Sequence, residues 1–287
     1  MELVPEGGSP SRPRVDQPDG TLALAGAVCW RNILIAMPNY ASLSKAPVVE
    51  AIIEIKARMA RPTGTDVYAA FQDRWKEKYP TAQQIRFVAT HLHFNADAAV
   101  TNDVSHSVVG VRLDDEAGQW VVQGKSDGLT VSRLTPYESW ERLVAVVQEL
   151  WPTYVELFRP EAVLRLGVRY INMIPLPDKN AIDLDAVLTA GPKIPAQLSQ
   201  DLSEFMTRLV LPVSGADSTV TIQQALGAIA GGEAAGKPCV VLDIDAACEQ
   251  VFGVDSPEMW TKLADLRNAK NLAFFSSLTA PTLEQFK

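Results

Sequence analysis

The sequence predicts an α+β fold: antiparallel sheets packed by long helices, in a strand-helix-strands-helix module that occurs twice. Three observations predict it. Strand-like stretches follow one another across short turns such as Asp115-Glu-Ala-Gly118 and Ser126-Asp127-Gly128, which signal hairpins rather than parallel crossovers. Helical periodicity is segregated into a few segments instead of alternating with every strand. Two of those segments also open alike, with Thr135-Pro136 ahead of Trp140-x-x-Leu143 and Ser256-Pro257 ahead of Trp260-x-x-Leu263.

Residues 1–20 are rich in proline, glycine and charge with no apolar period, and 1–36 as a whole reads as a flexible N-terminal extension. The stretch 21–37, which runs just past its end, is apolar, but Arg31 and Asn32 interrupt it, so it is too short to span a membrane. Residues 37–159 form the first α+β half. A strand follows Pro47 (VVEAIIEIKAR), and Thr63-Gly-Thr65-Asp66 opens a helix with Val67, Phe71, Trp75 and Tyr79 on one stripe. Strands are expected over 83–95, 104–113, 119–124 and 128–133. The closing helix is expected to start with Thr135 as N-cap, Pro136 in the first position and Glu138 completing a capping box. Trp140, Leu143, Val144, Val147, Leu150, Trp151, Tyr154 and Phe158 trace its apolar face.

Residues 160–287 form the second half, packed with the first. Its strand EAVLRLGVRYINMI follows Pro160, and a short helix is expected at 183–188. Strands at 208–213, 218–224 and 238–245 come next, and a long helix capped at Ser256-Pro257-Glu258 closes the half.

With 287 residues, 47% hydrophobic and 21% charged, the chain can bury a sizeable core. Its net charge of −8 disfavours nonspecific binding to nucleic acid. Cys29, Cys239 and Cys248 are too far apart for a CxxC motif or a disulfide framework, so a reducing, cytoplasmic setting is expected. There is no GxSxG, GxxxxGK[ST], HExxH or strand-linked GxGxxG, and no cofactor is expected. The Gly/Ala-rich stretch 230–236 opens no helix and reads as a loop.

Strand alternation gathers the candidate ligand-binding residues. Arg165, Gly167, Arg169 and Ile171 share one face of their strand, and Val241, Asp243 and Asp245 share one face of theirs. Guanidinium forks match carboxylate and phosphate geometry, so such a face could hold an anionic or zwitterionic ligand; it could equally satisfy itself by mutual salt bridges. Arg267, Lys270 and Asn271 on the last helix either project toward whatever the sheet binds or form a solvated helix face. His91 and His93 point to one side of a strand, continued by Asn95 and Asp97, which is the one arrangement that could ligate a metal. Cys239 and Cys248 read as small core residues.

Taken in order, Leu43-Ser-Lys-Ala-Pro47-Val-Val-Glu50-Ala, Ser132-Arg-Leu-Thr-Pro136-Tyr-Glu-Ser-Trp140, Arg165-Leu-Gly-Val-Arg169-Tyr170-Ile-Asn172, Leu242-Asp-Ile-Asp245 and Trp260-x-x-Leu-x-x-Leu-Arg267-x-x-Lys270-Asn271-x-x-Phe-Phe275-x-x-Leu-Thr279 resemble the sporadically distributed, uncharacterised bacterial TIGR-type protein family. The resemblance runs from about residue 39 to 286 and implies a bacterial cytoplasmic protein, with no activity or site residues to carry over. The module order is also similar to the fold shared by TATA-binding proteins and helix-grip ligand carriers, a topological likeness that carries no function. These readings favour a non-enzymatic binding protein recognising a protein partner or a small anionic ligand. The alternatives are a metal-dependent hydrolase or nuclease using His91, His93 and nearby carboxylates, and a homo-oligomeric structural component.

Overall fold

A computed structural model describes residues 40, 43–94, 100–176, 183–200, 202–213, 217–229 and 235–287, with the backbone alone for 90–94 and 100–103. All of them belong to one compact unit, Ile35–Lys287. Its elements run β1 (Val48–Met59), α1 (Thr65–Trp75), β2 (Thr81–Phe94), β3 (Val100–Asp114), β4 (Trp120–Lys125), β5 (Gly128–Leu134), α2 (Trp140–Phe158), β6 (Pro160–Pro175), β7 (Met206–Pro212), β8 (Ser218–Ala228), β9 (Pro238–Cys248), α3 (Glu258–Ser277) and α4 (Ala280–Glu284).

The nine strands form a single sheet in the order β2-β3-β4-β5-β1-β6-β9-β8-β7, with every neighbouring pair antiparallel. The fold is therefore α+β, and the sheet is continuous through the β1/β6 pair. Registers align one residue from each strand into a row: Ala82, Leu113, Val122, Val131, Ile53, Val168, Ala246, Val220 and Leu211. All are apolar, and the seven inner members are buried. Because side chains alternate, this row defines the face on which α1, α2 and α3 pack, while the next residue of each strand points away from the helices. On that opposite face the row through Arg112, Gln123, Thr130 and Glu54 is polar.

Helix α2 lies across β1 and β5 and buries Trp140, Leu143, Val146, Val147, Leu150, Trp151, Tyr154 and Phe158. Val146 replaces the expected Val144, which is only half-buried, a slight rotation of the apolar stripe. The polar tips of two of these aromatics find carbonyls: Tyr154 Oη donates to Lys125 O at 2.8 Å and Trp151 Nε1 to Val254 O at 2.9 Å. Gly124 is needed where Phe71 and Phe158 press on the sheet, since a Cβ there would meet the Phe71 ring at 3.0 Å. Helix α3 covers β6, β9 and β8 with Met259, Leu263, Leu266, Ala273 and Phe274.

Two expected elements differ. The cap of α2 is Ser139, whose Oγ accepts the Arg142 N–H at 3.1 Å, not Thr135. The reason is the sheet: the Thr135 N–H donates to Val49 O at 3.1 Å and keeps the chain on β1 past the end of β5. Glu138 reaches the Arg133 guanidinium at 2.8 Å instead of closing a capping box. The expected helix at 183–188 is one turn, in which Leu184 O accepts from Val187 and Leu188, after which Leu188 leaves to bridge Leu278. At α3 the Ser256 Oγ does accept the Glu258 N–H, at 3.2 Å, and Pro257 adopts helical angles ahead of the first assigned turn.

Candidate functional site

The central strand β6 presents different chemistry on its two sides. Away from the helices, Arg165 pairs with Glu54 of β1 and, at 2.8 Å, with Asp245 of β9. Arg169 forks onto Asp243, with Nε at 2.8 Å from one carboxylate oxygen and an Nη at 2.5 Å from the other. Gly167, registered opposite Glu54, leaves the space in which the Arg165 head group lies; a Cβ there would meet it at 2.6 Å. Lys56 extends the ladder to Asp127 at 2.6 Å. Burial pushes the Asp245 carboxyl above its ordinary range even though Arg165 and Arg169 pull it down. Every guanidinium in this cluster is thus already matched to a carboxylate, which is the self-satisfied arrangement.

Toward the helices, the same strand sends Tyr170 and Asn172 into a cleft of about 440 Å³. Its other functional walls are Tyr137 and Ser139–Glu141 around the start of α2, and Arg267, Lys270 and Asn271 on α3. Asn172 is buried and donates to Tyr170 O and Leu242 O at 3.3 and 3.0 Å, which fixes the strand ends beneath the cleft. Tyr137 and Tyr170 join hydroxyl to hydroxyl at 2.8 Å, their rings edge to face. Burial raises both phenols above the ordinary tyrosine value, so both remain protonated at neutral pH.

Lys270 sits against this pair. Only 7% of it is exposed, its Nζ lies 3.7 Å from the Tyr170 ring centroid, and its hydrogen-bond acceptor is Asn271 Oδ1 at 2.5 Å. Among the described residues no carboxylate forms an ion pair with it. Burial, and secondarily the Arg267 guanidinium, bring its ammonium down to about 7. Arg267 rests over the Trp140 ring and reaches Glu141 at 3.7 Å, a carboxylate that is itself largely exposed. Ser139, Trp140 and Glu141 at the start of α2 line the same cleft. Glu138 lines it too, but Glu138 and Glu141 are engaged with Arg133 and Arg267, which leaves Lys270 as a buried amine with no carboxylate matched to it among the described residues.

The expected ligand set is divided by the sheet: Arg165, Arg169, Asp243 and Asp245 lie on one side, and Arg267, Lys270 and Asn271 on the other. Alternation along β6 groups Arg165 with Arg169 correctly, but only the antiparallel register and the seating of α3 show that the helix faces Tyr170 instead. Tyr137 and Tyr170 were not among the expected site residues; Tyr170 differs from Arg169 by one position, which on a strand is the opposite face. Glu54 was also missed, although alternation within β1 places it beside Lys56. His91 and His93 are on β2, registered with Asp103 and Thr101; their side chains, together with Asn95 and Asp97, lie outside the described residues. Most of the 230–236 loop lies outside them as well. Cys239 and Cys248 are buried in the sheet. No helix among the described residues is long and apolar enough to cross a membrane. No family model matches the chain, and no curated protein matches it in sequence.

Proposed function

We propose that this chain is a non-enzymatic binding protein whose helix-side cleft takes a small anionic ligand bearing a carboxylate or a phosphate. The observation that carries this reading is Lys270: a buried amine in a cleft, beside Arg267, with no carboxylate paired to it among the described residues. An anion entering there supplies the missing countercharge in a site of reduced dielectric, where one charge-assisted contact is worth more than on the surface. The volume suits a small molecule.

The same reading takes the chain as a tandem duplication, 37–159 and 160–287, similar to the TATA-binding-protein and helix-grip topology. Its support is the strand order. Outward from the β1/β6 pair, β1-β5-β4-β3 is mirrored by β6-β9-β8-β7, and a long helix closes each series. The cleft lies where the first members of the two series meet. The bacterial, cytoplasmic assignment rests on the motif resemblance and the cysteine usage.

The test is calorimetric titration of the full chain with oxalate and with inorganic phosphate at pH 7. Saturable one-site binding of either, weakened at least tenfold in both Lys270→Met and Arg267→Gln, is the expected result. Absence of binding, or binding indifferent to both substitutions, overturns the reading.

A further inference from the structure

We propose that Lys270 forms an imine with a small carbonyl-bearing anion, a 2-oxo acid, held in this cleft. The inference deepens the anion-binding reading and rests on it. An amine that captures carbonyls must be buried from competing solvent, free of a tight carboxylate partner, and close to a group that holds the rest of the ligand. Lys270 meets these conditions in one place. Its hydrogen-bond acceptor is the neutral amide oxygen of Asn271, which does not hold the proton as a carboxylate would. Arg267, one turn earlier on α3, lines the same cleft and is the group for the carboxylate that a 2-oxo acid carries next to its carbonyl.

Burial and the like charge of Arg267 on α3 keep the neutral form of Lys270 accessible, against the Tyr170 ring face of β6, which favours the ammonium. Around the start of α2 the cleft is lined by Tyr137, Glu138 and Glu141. Glu138 is engaged with Arg133 at 2.8 Å and Glu141 lies 3.7 Å from Arg267, so neither carboxylate fixes the proton on Lys270. The lowered Lys270 value of about 7 agrees with this placement.

The step balances without an oxidant or a reductant. The Nζ lone pair attacks the carbonyl carbon, and the C=O π pair moves to oxygen. A proton passes from nitrogen to that oxygen, giving a carbinolamine. Loss of the hydroxyl with a proton, as water, leaves the C=N bond, so amine plus 2-oxo acid give imine plus water. The hydrogen-bonded Tyr137 and Tyr170 hydroxyls line the cleft as a protonated pair able to donate to the departing oxygen.

The experiment is trapping on the full wild-type chain. The protein is incubated with pyruvate, with and without sodium cyanoborohydride, and read by intact mass and peptide mapping. The expected result is one reduction-dependent pyruvate-derived group per chain, mapped to Lys270 and absent from Lys270→Arg. No adduct, or an adduct spread over exposed lysines and retained in Lys270→Arg, overturns the proposal. Parallel titration with oxalate, which offers carboxylates but no reactive carbonyl, separates the two readings. Oxalate binding without a Lys270 adduct defeats the imine and leaves anion binding standing; failure of both defeats both.

Discussion

The ammonium of Lys270 rests on the face of Tyr170, 3.7 Å from the ring centroid, and this contact is what a buried cation has in place of a carboxylate. The arrangement has a signature in the pH dependence of stability. Unfolded, Lys270 takes up its proton below the ordinary value of 10.5; folded, it does so only below about 7. Between those values the unfolded chain binds the additional proton, so the contribution of Lys270 improves as pH rises and is at its worst, and flat, below about 7. Lys270→Met should therefore stabilise the protein at pH 6 by about 1–3 kcal/mol, after the lost contact with the Tyr170 face is subtracted. The gain should fade toward pH 10, as read by denaturant melts across that range. A variant that is less stable than wild type at pH 6 would mean that the amine is better solvated than its burial implies.

The start of α2 provides a paired test. Ser139→Ala removes the acceptor of the Arg142 N–H and should cost about 1 kcal/mol. Thr135→Ala alters an exposed side chain whose backbone N–H, not its hydroxyl, is engaged, so its melting midpoint should stay close to wild type. Equal losses in the two variants would return the cap to Thr135.

The two long helices and all nine strands were legible because their signals are local: β-branched alternation for strands, four-residue apolar spacing for helices, and turn residues between hairpins. The site was legible only in part, and for a physical reason. Alternation shows which residues of β6 share a side, but it does not show which side a helix covers, and that depends on long-range packing of α3 against β6 and β9. The Thr135-Pro136 signal misled because its chemistry is right for a cap while its backbone N–H is committed to Val49 across the sheet. A cap rule reads the local sequence and is silent about a strand that keeps pairing.

Gly128 separates a glycine required by the backbone from one that merely fits. Its φ is +149°, and a Cβ there would meet Ile55 O at 2.1 Å, so neither a rotamer change nor a small shift relieves the contact. Gly128→Ala should lose about 3 kcal/mol or more and weaken the β5/β1 pairing. Gly118, at φ +63° with nothing within 4 Å, should accept Asn with a cost within about 1 kcal/mol. Chemical denaturation of the two variants side by side makes the comparison, and similar losses would remove the distinction.

The fork between Arg169 and Asp243 allows the two faces of the sheet to be tested separately. Arg169 is more than one-third exposed, whereas Asp243 is buried beneath it and receives, besides the fork, only a 3.4 Å contact from Gln223 among the described residues. Arg169→Ala leaves that carboxylate short of partners, and the expected loss is about 1–2 kcal/mol, kept at the lower end because solvent already screens the arginine. Replacing both, Arg169→Ala with Asp243→Asn, removes the orphaned charge and should recover part of the loss, which a double-mutant cycle reads directly. Neither variant touches the cleft, because Arg169 and Tyr170 point to opposite sides of β6. Oxalate affinity measured by calorimetry should therefore stay within about twofold of wild type in Arg169→Ala, a change of less than ~0.5 kcal/mol. If Arg169→Ala instead abolishes anion binding while stability is unchanged, the recognition surface is the ion-paired face and the cleft is not the site.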